Sequence, residues 1–223
     1  MAIFYGQFIK PGDLCFDIGA NMGNRTKIFL KLGARIVVVE PQNHCMAFLK
    51  KQFGENRRVV FVHKAVGERE DVGEMMISGE HTISSLSATW VERVQQSGRF
   101  SQFDWPKRQR VEVTTIDALI QENGRPAFIK IDIEGYEYEA IKGMSIPARA
   151  LSFEFTPEFM DATYGCIERL SRLGDARFNY TVGETMKLKL PVWTDATHMV
   201  DILSRHENDG LFGDVLAKFP HGR

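Results

Sequence analysis

The chain has 223 residues, 43% of them hydrophobic and 26% charged, a balance that excludes disordered, collagen-like and disulfide-stapled classes. At this length folding removes roughly 70% of the unfolded surface from water, so a single domain can hold together without metals or cross-links. With 28 Lys and Arg against 29 Asp and Glu, no overall field gathers nucleic acid or an anionic membrane, and neither is expected as a partner.

Three cysteines, Cys15, Cys45 and Cys166, form no Cys-x-x-Cys pair, which suits a reducing compartment better than a disulfide framework. The first ten residues lack the basic start and cleavage site of a signal peptide. No apolar run approaches the roughly 20 residues that span a bilayer. A cytoplasmic protein is expected, and the Asn-x-Ser/Thr triplets at Asn24 and Asn179 then carry no glycan.

Short apolar, β-branched runs recur along the chain, at 14–18, 36–39, 59–62, 128–131 and 151–155. Each reads as a strand buried on both faces, because the alternation of a half-solvated sheet is missing. Between them, helical spacing predicts helices over 26–33, 45–54 and 136–143, the first ended by Gly33. Strand and helix in succession imply right-handed βαβ units, hence a doubly wound α/β fold with a mainly parallel sheet and helices on both faces. Residues 67–110 break this rhythm and read as an insertion over one end of the sheet, followed by an extra strand over 111–116. Beyond Pro157 the pattern predicts a helix through Leu173, a strand around 178–182, a helix around 197–205 and a last strand near 214–217. One domain spans 1–223.

In open α/β sheets ligands bind at the carboxyl ends of the strands, so the first strand-to-helix turn is the place to look. It reads Asp17-Ile18-Gly19-Ala20-Asn21-Met22-Gly23. Gly19 suits a sharp turn off the strand and Gly23 a close approach of ligand to backbone, with free amides that favour an anion. Glu40 ends the second strand, where an acid can accept hydrogen bonds from ribose hydroxyls. A dinucleotide fingerprint would have a middle glycine to admit a pyrophosphate; here that place belongs to Asn21. The spacing acid-x-Gly-x-x-x-Gly is similar to the first motif of class I methyltransferases.

Residues 128–143, with Phe128-Ile129-Lys130-Ile131-Asp132-Ile133-Glu134-Gly135 at their start, carry the most specific pattern. Together with the glycine turn, Val39-Glu40-Pro41 and the Ile83-Ser84-Ser85-Leu86 patch, they resemble the FkbM-type methyltransferases over about 10–158. The resemblance implies a class I, Rossmann-like enzyme that moves a methyl group from S-adenosyl-L-methionine to a hydroxyl of a sugar, glycolipid, polyketide or similar small metabolite. It also implies cofactor contacts at Asp17, Gly19, Gly23 and Glu40, with Ala20 and Asn21 in the same turn, and adenine contacts near Pro41, Ala65 and Val66. Substrate choice would reside in the variable residues 67–110.

The chemistry needs a base, since an alcohol is a poor nucleophile until its proton is removed. Asp132 or Glu134 is the expected base, with Glu154 orienting the substrate or the other carboxylate. Glu137 and Glu139 read as acids at the positive end of a helix, as Glu134 also could. Lys130, inside a buried strand, needs a carboxylate partner, Asp17 or Asp132. The three carboxylates could hold Mg²⁺, but no ligand spacing in the sequence requires it, and a metal-free reaction is expected. The aromatics and cations of the insertion suit either a sugar- or phosphate-gripping surface or a lid with its own small core, the latter being the simpler expectation. His63 and His81 flank the region as further possible bases, whereas His44, His198, His206 and His221 show no ligand pattern. Two rivals are a nucleotide-cofactor oxidoreductase and a non-catalytic module that binds the cofactor or a protein partner.

Overall fold

The computed structural model describes residues 1–206 and 209–220; His221 and the side chain of His81 lie outside the described residues. After helix α1 (Ala2–Tyr5), the chain alternates β1 (Leu14–Ile18), α2 (Asn24–Lys31), β2 (Arg35–Val39), α3 (Asn43–Phe53) and β3 (Val59–Val62). The second half runs β7 (Phe128–Ile131), α6 (Glu137–Lys142), β8 (Ala150–Phe155), α7 (Met160–Ser171), β9 (Arg177–Tyr180), α8 (Ala196–Ser204) and β10 (Gly213–Lys218). Between the halves lie β4 (Ala65–Val66), β5 (Asp71–Ile77), α4 (Ala88–Gln96), β6 (Lys107–Thr114) and α5 (Ile116–Asn123).

Seven strands form one sheet in the order β3-β2-β1-β7-β8-β10-β9. The first five pair in parallel, and β10 runs antiparallel to both β8 and β9. The chain leaves β1 toward β2 on one side and returns to β7 on the other, so the crevice of the fold opens at the carboxyl ends of β1 and β7. Every residue of β1 and β7 is buried, as expected of central strands covered on both faces. The strand β3 departs from that expectation. It is the sheet's edge, it has one neighbour, and Val60 is 48% exposed.

Under α1 and α2, one face of the sheet buries Phe4, Tyr5, Phe29, Phe128 and Leu216. The Tyr5 ring meets Phe29 and Phe128 edge-on, with centroids 5.0 and 5.6 Å away, the geometry that ring quadrupoles prefer. The other face packs against α5 to α8 through Leu119, Ile141, Ile167, Leu170 and Met199. Each such side chain contributes roughly 2 kcal/mol by leaving water.

The segment 67–110 is regular rather than loose. It builds most of a second sheet of order β4-β6-β5, in which Asp71 pairs with Val113 and Ile77 with Lys107. The predicted strand over 111–116 ends early, because the Thr115 hydroxyl accepts from the Ala118 amide at 3.0 Å and caps α5. Trp90, fully buried, and Trp105 form a separate small core with Val91 and Val94. The Trp105 indole donates to the Ile83 carbonyl at 2.7 Å. The cations beside them are paired, Arg93 with Asp161 at 2.7 Å and Arg99 with Glu158 at 3.3 Å. These aromatics therefore fill a core, and Arg93 and Arg99 already have acids to grip.

Candidate active site

A cavity of about 320 Å³ opens at the carboxyl ends of β1, β2, β7 and β8, the size class of a small-molecule or cofactor site. Gly19, Ala20 and Asn21 form its floor, and Glu40, Pro41, Ala65 and Val66 one end. Asp132, Glu134 and Glu154 stand at the other end, with Thr82, Ser84 and Leu86 of the inserted segment opposite.

Gly19 is required by its neighbours. It holds φ +79, and a Cβ there would lie 1.8 Å from the Asp132 carbonyl oxygen, because the turn after β1 crosses directly over the end of β7. Gly23, also at φ +79, is needed for packing instead: a Cβ would fall 2.6 Å from the Phe53 ring and 2.9 Å from Leu49 on α3. Neither Gly23 nor Asp17 lines the cavity. Asp17 lies beneath the turn, its carboxylate accepting from the Thr26 hydroxyl of α2, and burial raises its pKa.

Four amides of the turn already have acceptors within the protein. Gly19 and Ala20 both donate to the Val39 carbonyl, at 2.9 and 3.1 Å, and Gly23 donates to Ala20 at 2.7 Å. The Asn21 amide donates to one oxygen of Glu40 and the Gln42 amide to the other, both at 2.8 Å. Burial pushes the Glu40 carboxyl up to about 7, against the pull of those two amides. Glu40 is thus fixed in orientation with lone pairs left over for a ligand.

At the other end the acids converge. Lys130 is 1% exposed, and its ammonium lies 3.1 Å from Asp132 and 3.0 Å from Asp214. Asp214, on β10, is the partner that local sequence did not reveal, and Asp17, though paired with Lys130 in strand register, is bonded to Thr26 instead. Glu134 is in the loop before α6, not in the helix, and holds φ +53. Its carbonyl accepts from the Ser85 hydroxyl at 2.6 Å, which ties the loop to the inserted segment. One oxygen each of Asp132, Glu134 and Glu154 lies within 4.8 Å of the others. Burial and then neighbouring acids raise the carboxyls of Glu134 and Glu154 well above the ordinary range.

Glu137 is buried at the start of α6 and accepts from the Ile133 amide at 2.9 Å, whereas Glu139 pairs with Lys142 at 2.7 Å. Burial pushes Glu137 from 4.5 up to about 7. A carboxyl raised on folding keeps a proton that the unfolded chain has already released, so stability falls as pH rises from about 4.5 to 7. The thermal midpoint should be several degrees lower at pH 8 than at pH 5. Glu137→Gln should flatten that slope, and an unchanged slope in calorimetry would count against this reading of Glu137.

Several lining residues were not legible in the sequence. Arg25 and Glu184 meet at the cavity's rim, both oxygens of Glu184 lying 2.9 Å from Arg25 Nη2. Lys64, beside Ala65, pairs with Glu112 at 3.1 Å. His63 does not line the cavity; its Nε2 lies 3.1 Å from the Pro41 carbonyl oxygen, behind the wall.

Among solved structures the chain is similar to the precorrin-6y C5,15-methyltransferase of Geobacter metallireducens GS-15, at 11% identity over 97% of this chain and 87% of that one, with a TM-score of 0.51. An rRNA methylase from Streptococcus thermophilus matches at 10% identity over 98% and 93%, TM-score 0.49. A putative methyltransferase from Streptococcus mutans in complex with SAH matches at 11% over 97% and 94%, TM-score 0.46. No curated protein sequence matches the chain. The sheet order, the cavity's position and the first of these likenesses define a Rossmann-like, class I methyltransferase fold. The Methyltransferase FkbM domain model matches residues 17–207. The chain belongs to the FkbM methyltransferase family. Among its described residues, no helix is long and apolar enough to cross a membrane.

Proposed function

We propose that the protein is an S-adenosyl-L-methionine-dependent O-methyltransferase acting on a hydroxyl of a sugar, glycolipid, polyketide or similar small metabolite. The observation that carries this reading is one cavity of about 320 Å³ with an oriented acid, Glu40, at one end and three clustered carboxylates at the other. Glu40 would accept from the ribose hydroxyls, and Pro41, Ala65 and Val66 would flank the adenine. Asp17, Gly19, Ala20, Asn21 and Gly23 shape the turn between. When bound, the cofactor supplies an electrophilic methyl group.

Glu134 is the residue we assign as base. Its carboxylate faces the cavity and receives no hydrogen bond among the described residues, and its raised proton affinity suits it to take the acceptor's hydroxyl proton as the hydroxyl oxygen attacks. Asp132 is occupied with Lys130, and Glu154 would orient the acceptor. A negative cluster also suits the positive sulfonium and disfavours a phosphate-rich acceptor, which supports a small-molecule or glycan acceptor over nucleic acid. The proximity of Asp132, Glu134 and Glu154 favours a second reading, in which they hold a divalent cation that lowers the hydroxyl's pKa.

S-adenosylhomocysteine should raise the thermal midpoint and nicotinamide dinucleotide should not. Labelled cofactor incubated with fractionated extract of the producing cells should mark the acceptor by mass spectrometry. Glu134→Gln should lower turnover about 10²- to 10⁴-fold while the thermal shift persists. Cofactor affinity with no methylated product would favour a non-catalytic module, and loss of activity on chelation with rescue by Mg²⁺ would select the cation reading.

A further inference from the structure

Arg25 is the second residue of α2, next to the glycine turn, and lines the cavity, where it feels the charges of Asp132 and Asp214. Its side chain is only 15% exposed. Glu184, from the segment after β9, occupies Nη2. The remaining donors are poorly served: Nη1 donates only to the Met1 thioether at 3.4 Å, and Nε is buried without a partner. A guanidinium seeks oxygen acceptors in planar pairs, and a thioether is a weak substitute.

Two further facts narrow what Arg25 can serve. The cavity's lining includes two cationic side chains, Arg25 and Lys64, and Lys64 stands at the Glu40 end already paired with Glu112. In the glycine turn itself the amides of Gly19, Ala20, Asn21 and Gly23 already donate to Val39, Glu40 and Ala20. An amino-acid group bound between the glycine turn and Asp132 would bring a positive ammonium that the acids welcome and a negative carboxylate that they repel. Among the described residues Arg25 is the cavity-lining cation at that end, the Lys130 ammonium being held against Asp132 and Asp214.

We infer that Arg25 binds the carboxylate of the methyl donor's amino-acid portion, with Glu184 holding the guanidinium in place through Nη2. This inference rests on the proposed S-adenosyl site. Both partners are charged, so the contact belongs to the strong class of hydrogen bonds.

Two known ligands test it. S-adenosylhomocysteine and 5′-methylthioadenosine share adenine, ribose and thioether, and the second lacks the amino-acid portion. In titration calorimetry the wild-type protein should bind the first more tightly. Arg25→Met should weaken S-adenosylhomocysteine about 10- to 100-fold and 5′-methylthioadenosine less than about 2-fold. Arg25→Lys, which keeps the charge and loses the planar fork, should fall between. An unchanged affinity for S-adenosylhomocysteine in Arg25→Met, or an equal loss for both ligands, overturns the assignment. Binding of neither ligand by the wild-type protein would instead sink the S-adenosyl site itself.

Discussion

Gly19→Ala should abolish the stabilisation by S-adenosylhomocysteine and lower the thermal midpoint by about 6 to 12 °C, the shift that corresponds to roughly 3 kcal/mol in a protein of this size. Two costs combine. A non-glycine residue at φ +79 is strained by about 1 to 2 kcal/mol. The added Cβ would also lie 1.8 Å from the Asp132 carbonyl oxygen and 3.0 Å from the Ile133 side chain. Backbone cannot rotate away as a side chain can, so the turn after β1 and the loop after β7 must separate. Those two segments form the floor and the acidic end of the cavity. Gly12→Ala is the control. Gly12 has φ +86 with nothing within 4 Å of a Cβ, so it carries the strain without the clash and should cost only about 1 to 2 kcal/mol. Equal effects from the two substitutions would show that strain alone is at work and that the crossing over Asp132 is unimportant.

Lys130→Met should destabilise the fold by about 3 to 5 kcal/mol in denaturant titration, the usual consequence of removing one member of a buried ion pair. Lys130 is 1% exposed with Asp132 at 3.1 Å and Asp214 at 3.0 Å, and it also donates to the Ile131 carbonyl at 3.2 Å. Without the ammonium, Asp132, Glu154 and Asp214 remain close together under low dielectric with no counter-charge beneath them. Adding Asp214→Asn to Lys130→Met should recover part of the loss, since it removes one of the uncompensated charges, and the two effects should be strongly non-additive. A loss below about 1 kcal/mol, or simple additivity, would mean that Lys130 does not hold the cluster together. Activity should fall with either variant, because Asp132 stands in the wall of the cavity where Lys130 fixes it.

Much of this architecture follows from local pattern. Runs such as Phe128 to Ile131 are apolar on both faces save Lys130, the pattern that a strand covered on both faces needs. The Gly19 turn and Glu40 were legible because the parallel βαβ arrangement brings the end of one strand beside the end of the next, and the Glu40 hydrogen bond to Asn21 realises that geometry. The apolar run 59–62 misled because strand composition does not reveal which strand takes the edge. Residues 67–110 were opaque because the β5 and β6 pairing depends on a long connection rather than on a tight turn.

What the tertiary structure alone decided is the company each charge keeps. Lys130 finds Asp214 across 84 residues and Arg25 finds Glu184 across 159. Periodicity reports whether a side chain is buried, since that depends on its own element. The partner that makes a buried charge tolerable depends on strand order across the whole sheet, which local patterns leave undetermined.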